Sequence, residues 1–267
     1  MMKATPLHTS FIATVLSGKG GAGKSMATIN TATMLTDFGY NVAIIDADLG
    51  LSNCATLLGQ QVPHTVSHWI DGSCTLDQVM TQHHGVTLVT CANDPAQNKY
   101  AADIFMDALD QIIGYLKIRH DFILIDTPAG AVEMTFWALD ASDIGVLMLI
   151  DEPTAVSDVY RLCKYVYSID PTYIFSAIVN FAESDEAAKN TFQRFNNILD
   201  YFLKKEAQYF GFIPASTDVK QSVIQQQTLL ESGAGDHIVH EIEFIAQNMI
   251  AYAATQPTLT PQYVQKQ

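Results

Sequence analysis

Eight consecutive residues constrain this chain more than any others: Gly18-Lys19-Gly20-Gly21-Ala22-Gly23-Lys24-Ser25. An apolar run, Phe11–Ser17, leads into them, and a helix-length segment, Lys24–Phe38, leads away. Glycines at this density let backbone N–H groups converge on an anion where Cβ atoms would intrude. A helix starting at the end of such a turn adds the positive end of its dipole. Strand, glycine-rich turn and helix in this order form a phosphate-binding loop. Gly18, Gly20, Gly21, Ala22, Gly23 and Met26 then line the phosphates, Lys24 reaches the β- and γ-phosphates, and Ser25 ligates Mg²⁺.

Six further apolar runs read as buried strands: Val42–Asp48, Val86–Cys91, Phe122–Asp126, Ile144–Ile150, Ile174–Asn180 and Tyr209–Pro214. They lack polar alternation, as strands covered on both faces do. Helix-length segments lie between or after them at Ala101–Ile118, Ala155–Ser168, Ala187–Lys204 and His237–Ala253. This alternation predicts an α/β fold, a doubly wound, mostly parallel sheet with helices on both faces. We expect a flexible N-terminus over 1–10, one domain over 11–255 and a polar tail over 256–267.

Hydrophobic residues make up 48% of the chain and charged residues 16%, which suits a buried core rather than disorder. The formal net charge of -14 opposes direct DNA binding, which needs clustered cations, and attraction to anionic lipid. Cys54, Cys74, Cys91 and Cys163 form no CxxC pair, so they read as small hydrophobes in a reducing compartment. No basic leader and no apolar run of membrane-spanning length is seen, so a soluble, cytoplasmic protein is expected.

Two strand ends carry carboxylates. Val42–Ile45 runs into Asp46-Ala47-Asp48-Leu49-Gly50-Leu51-Ser52-Asn53, and Ile123-Leu124-Ile125 into Asp126-Thr127-Pro128-Ala129-Gly130. The C-terminal ends of parallel strands face the ligand crevice in open α/β sheets. Asp126 reads as the Walker B residue, holding Mg²⁺ through water, since that ion keeps part of its hydration shell. Gly130 would let the backbone approach the γ-phosphate.

Lys19-Gly20-Gly21-Ala22-Gly23-Lys24-Ser25 resembles the deviant Walker A motif of the MinD/ParA (SIMIBI) ATPases. That resemblance implies ATP or ADP with Mg²⁺. It makes Lys19 a cation supplied in trans to the partner's ATP across a homodimer, with the logic of an arginine finger. It implies that Asp48 orients the attacking water, so that Lys19, Lys24 and Asp48 form the catalytic set. Asp46 then belongs with Ser25 and Asp126 near the metal, or else caps the following turn. Asn180 would bond the adenine edge, or cap a turn at its strand end. Pro214 would open a loop packed on the base. Glu152, in Asp151-Glu152-Pro153-Thr154, would contact the opposite subunit or its nucleotide, or else serve only as an acidic residue at a helix N-terminus.

Within this family, the Asp46–Asn53 stretch, Leu57-Leu58-Gly59, Asp151–Thr154 and Tyr209-Phe210-Gly211-Phe212-Ile213-Pro214 are similar to the FlhG (FleN) branch, which controls flagellar number and placement. The resemblance spans roughly residues 10–235. The branch's usual DQAxxLR segment is not found in Met1–Ser10. The last helix has an apolar face (Ile238, Ile242, Ile245, Met249, Ala253), but no Lys or Arg occurs from Gln221 to Gln265. An interfacial helix normally carries cations on its polar face, so an ordinary packed helix is expected, with at most weak, transient contact at the inner membrane or cell pole. The implied function is an ATP-dependent dimerising switch with slow hydrolysis, read by a protein partner. The alternatives are a ParA-like partitioning ATPase and a metabolic P-loop enzyme turning over at about 10 per second.

Overall fold

The structure, a computed structural model, describes residues 9–50, 53–92 and 100–256. Residues 1–8 of the expected flexible N-terminus, Leu51-Ser52 and the tail beyond Gln256 lie outside the described residues. The chain begins β1 (Phe11–Leu16), α1 (Lys24–Asp37), β2 (Val42–Asp46), α2 (Asn53–Leu57) and α3 (Val66–Ile70). After a short 3-10 turn come β3 (Thr81–His83), β4 (Val86–Thr90), α4 (Ala102–Leu116), β5 (Phe122–Asp126) and α5 (Glu133–Asp140). It continues through β6 (Ile144–Leu149), α6 (Pro153–Ile169), β7 (Phe175–Ala182), α7 (Asp185–Leu203), β8 (Gln208–Pro214), α8 (Thr217–Gln225) and α9 (Asp236–Thr255).

The eight strands form one sheet in the order β3-β4-β2-β5-β1-β6-β7-β8. Among the described residues six of the pairings are parallel, and only β3–β4 is antiparallel. Every residue of β1, β2, β4, β5 and β6 is buried, which is why their sequences show apolar runs instead of alternation. On one face Phe11, Ala13 and Val15 pack with α1 and α9. On the other, Ile12, Ala43 and Ile45 pack with α4, while Leu16, Leu147 and Leu149 pack with α6 and α7. Each fully buried Ile, Leu or Phe side chain contributes about 1.5–3 kcal/mol, so both helical layers are firmly seated.

The apolar stripe of α9 faces this core: Ile238, Ile242, Ile245, Met249 and Ala253 are all buried. The helix is packed on α1 and β8, as an acidic amphipathic helix should be. Among the described residues no helix is long and apolar enough to cross a membrane.

β5 and β6, consecutive in the chain, flank β1 on opposite sides. Connections therefore diverge around the C-terminal end of β1, and a crevice opens there of the kind in which open α/β sheets bind ligands. All seven strands expected from the apolar runs are present, several ending a residue or two early where the chain turns into loops. Strand β3 and helices α2, α3, α5 and α8 carry no clear signal. Two of these helices are five residues long, too short for a 3.6-residue period to show.

Candidate functional site

The glycine-rich turn sits in the crevice, between β1 and α1. Gly21 and Gly23 have φ of 76° and 89°, in the left-handed region that favours glycine. Gly23 is doubly restricted, since a Cβ there would lie 2.0 Å from Asn180 Nδ2. Gly18 is held against α6, where a Cβ would come within 2.5 Å of Asp158 Cβ. Gly20 is open. Ala22 and Met26 are buried, Met26 in the core that anchors α1.

The two lysines of the turn part company. Lys24, in the first turn of α1, is only 9% exposed, and its Nζ donates to Ser17 Oγ at 3.2 Å. Ser17 Oγ in turn donates to the Lys19 carbonyl at 2.7 Å. The Lys19 side chain points the other way: its Nζ donates to Glu152 Oε2 at 2.5 Å, and the two side chains are 47% and 51% exposed. Glu152 is the N-cap residue of α6, with Pro153 next, but its carboxylate makes no cap hydrogen bond. The side chain is committed to Lys19 instead.

Behind Ser25 lies a buried acidic pair. Asp46 and Asp126 end β2 and β5 and are direct partners in their parallel register. They are 0% and 1% exposed. Ser25 Oγ donates to Asp126 Oδ2 at 2.5 Å. Asp46 accepts the Cys54 backbone N–H at 2.9 Å and the Asp48 N–H at 3.3 Å. Burial first, and the Asp46 charge second, push the Asp126 carboxyl up to about 7. Asp126 Oδ1 is buried with no hydrogen-bond partner among the described residues. A carboxylate oxygen left bare beside a second carboxylate and a hydroxyl suits a hard, partly hydrated dication, so this oxygen donor set fits Mg²⁺. Asp48 is half-buried one turn further out, its Oδ1 accepting the Gly50 N–H at 2.9 Å.

Gly130, at φ 85°, donates its N–H to the Ser17 carbonyl at 2.9 Å, which brings the loop after β5 beside the glycine-rich turn. Asn180 is 1% exposed and clamps that turn: its Nδ2 donates to the Ala22 carbonyl at 2.9 Å, and its Oδ1 accepts the Phe181 N–H at 2.9 Å. One amide N–H and one lone pair of Asn180 make no further hydrogen bond among the described residues. Pro214 ends β8 opposite Ala182, and Ala215 donates to the Ala182 carbonyl at 2.9 Å.

Two participants escaped sequence reasoning. Ser17 links the two lysines, and its only signal was its place as the polar end of an apolar run. Cys54 lies with its Sγ 3.5 Å from Asp126 Oδ2, and burial pushes its thiol well up. A separation of eight residues from Asp46, through a loop, follows no period that would flag it. All four cysteines are free, and three of them are buried.

The ParA family signature, described as NUBPL iron-transfer P-loop NTPase, matches residues 8–250. The chain belongs to the ParA/MinD family of P-loop ATPases. The antiactivator FleN of Pseudomonas aeruginosa is 30% identical over 233 residues, covering 87% of this chain and 83% of that protein. The flagellum site-determining protein YlxH of Helicobacter pylori is 30% identical over 253 residues, covering 93% and 84%. Among solved structures, the septum site-determining protein MinD of Pyrococcus horikoshii, complexed with Mg-ADP, superposes with a TM-score of 0.74 at 21% identity. That match covers 94% of this chain and all of the other. As a ParA/MinD ATPase, the protein hydrolyses ATP to ADP and phosphate, and its sheet and helices are those of the MinD fold.

Proposed function

We propose that this ATPase is a dimerising switch of the FlhG type, which sets the number or placement of flagella or of another polar structure. The observation that carries the reading is the outward Lys19, half-exposed and latched to Glu152 while Lys24 stays buried below it. A lysine serving only its own subunit's phosphates has no reason to stand on the rim. Support for the branch comes from the two flagellar relatives, each aligned over most of its length.

In this reading Lys24 and the backbone from Gly18 to Ser25 grip the β- and γ-phosphates, and Asn180 holds the turn in shape while offering its spare amide groups to the base. Pro214 starts the loop that covers the base. Ser25, Asp126 and Asp46 would hold Mg²⁺ directly or through water, and the ion would supply positive charge against the phosphate oxygens. Two ATP-loaded subunits meet face to face, Lys19 leaves Glu152 for the partner's phosphates, and Glu152 is freed to contact the opposite subunit. Asp48 orients the attacking water; orientation suffices for a loose phosphoryl-transfer transition state. ATP and dimerisation are thereby linked, each favouring the other. A protein partner reads the dimer surface, and hydrolysis, slow on its own, resets it. The protein acts in the cytoplasm and visits the cell pole transiently. Its charge of -14 speaks against DNA as the surface it tracks.

Light scattering coupled to size exclusion tests the reading on Asp48→Ala protein. The expected outcome is a mass that doubles with Mg-ATP and stays single with Mg-ADP. An ATP-loaded variant that remains monomeric would sink the dimer mechanism.

A further inference from the structure

Away from the nucleotide crevice, at the β3 edge of the sheet, two histidines and a glutamate converge. β3 and β4 are joined by the tight turn His84-Gly85, in which both residues have positive φ, 45° and 84°. This is the backbone of a type I′ hairpin, where Asn-Gly is the favoured pair. A histidine occupies the first position instead, and its ring stacks on His83 with centroids 4.5 Å apart. Both rings face Glu231, which lies in the segment after α8. His84 Nδ1 is 2.7 Å from Glu231 Oε1, and His83 Nε2 is 3.4 Å from the same oxygen. The ligand atoms of the three residues all lie within 4.8 Å of one another.

The glutamate is held in place for this. Its Oε2 accepts the Thr228 N–H at 2.8 Å, and Thr228 Oγ1 accepts the Glu231 N–H at 3.2 Å, a reciprocal cap that leaves Oε1 to the histidines. The segment itself is pinned twice: Leu229 N–H donates to Asn30 Oδ1 at 2.7 Å, and Gln226 Nε2 donates to the Thr56 carbonyl at 2.7 Å.

One atom in this arrangement is unresolved by protein groups alone. His83 is 8% exposed, and its Nε2 is buried without a hydrogen-bond partner among the described residues. If Nε2 carries the proton, its N–H is poorly aimed at the carboxylate oxygen 3.4 Å away. If it carries the lone pair, two lone pairs face each other. A cation between them removes the conflict in the second case. With bonds of about 2.0–2.2 Å to nitrogen and oxygen, tetrahedral ligands stand about 3.3–3.5 Å apart. The His83–Glu231 separation already meets that value, and the exposed His84 ring has room to swing to it.

We propose that His83 Nε2, His84 Nδ1 and Glu231 Oε1 form a binding site for a borderline transition dication, Zn²⁺ being the best match to two imidazoles and one carboxylate. The fourth position opens into a surface groove of about 630 Å³ that Gly59 and Gln226 also line. The ion ties the β3–β4 hairpin to the segment after α8. Through Asn30 that segment is bonded to α1, the helix that starts at the phosphate loop.

The test uses full-length protein stripped with EDTA and then saturated with Mg-ADP, so that the acidic pair behind Ser25 is masked. Zn²⁺ is titrated calorimetrically, and Co²⁺ is followed by its visible absorption. His84→Asn removes one ligand yet restores the favoured Asn-Gly turn, so it folds; Glu231→Gln keeps the contact to Thr228 and removes the charge. The expected result is one Zn²⁺ per chain, a tetrahedral Co²⁺ spectrum, and affinity reduced at least about tenfold in each variant. Metal-free thermal unfolding of His84→Asn should match that of the parent chain, which separates ligand loss from misfolding. No Zn²⁺ binding by the parent chain, or equal binding by parent and both variants, would overturn the proposal.

Discussion

The floor and the rim of the phosphate loop are built from the same residue types and behave oppositely. On the floor, Lys24, Ser25, Asp46 and Asp126 are buried or nearly so, and they are tied to strand ends and to the first turn of α1. On the rim, Lys19 and Glu152 form an ion pair with about half of each side chain in water. Burial makes a charge expensive and therefore fixed; exposure makes a pair cheap to break, worth about 0–1 kcal/mol. A grip on one's own ligand calls for the first kind of group. A contact that must form and dissolve with a second subunit calls for the second.

The contrast can be tested from the floor upward. The largest effect should come from Asp126. Its carboxyl is raised from 3.8 to about 7, so below 3.8 it is protonated in both folded and unfolded chains. As pH rises through that window the unfolded chain ionises first, and the fold loses stability by about 1.4 kcal/mol per unit of the gap. In EDTA, Asp126→Asn should therefore gain on the parent chain by several kcal/mol between about pH 4 and 7 in urea unfolding. A constant difference would mean that the floor is better solvated than its geometry indicates.

Next, Lys24→Ala should lower ADP affinity at least about a hundredfold, about 2.7 kcal/mol, in a fluorescent-nucleotide titration. An unchanged affinity would erase the distinction between the two lysines. Gly23→Ala should cost about 2 kcal/mol of stability, because the new Cβ meets Asn180 at a positive φ of 89°; a neutral result in denaturant unfolding would show the clamp to be slack. The smallest effect belongs to the rim. Glu152→Gln should move the monomer's unfolding free energy by less than about 0.5 kcal/mol and leave ADP affinity unchanged, and any change should appear in ATP-dependent mass instead. A large loss of monomer stability would place Glu152 on the floor after all.

Much of this contrast could be read before the fold was known. Gly18–Ser25 between an apolar run and a helix fixes the loop, and strands ending in Asp46 and Asp126 put both carboxylates at the crevice, because the residue that ends a strand is a local matter; their direct pairing in the β2–β5 register was not readable. The direction in which Lys19 points was not readable. It depends on Glu152, a residue 133 positions away whose neighbourhood is set by the crossover from β5 to β6. The Asn180 clamp on Ala22, 158 positions apart, was hidden for the same reason. The histidine site was missed because its ligands arrive from a three-residue strand and from a segment far downstream, neither with any periodic pattern. α9 was legible to within two residues at each end, since its apolar stripe follows the helical period.

The shape of the sheet's two borders bears on how copies of this protein can associate. At one border β3 is three residues long and runs against its neighbour, with Gln82 turned to water. At the other, β8 is irregular where it meets β7, with register shifts near Ile178 and Ala182 and Gly211 at φ 133°. Short, bent borders make poor templates for strand addition. Fibril-like growth is thereby discouraged at both ends of the sheet.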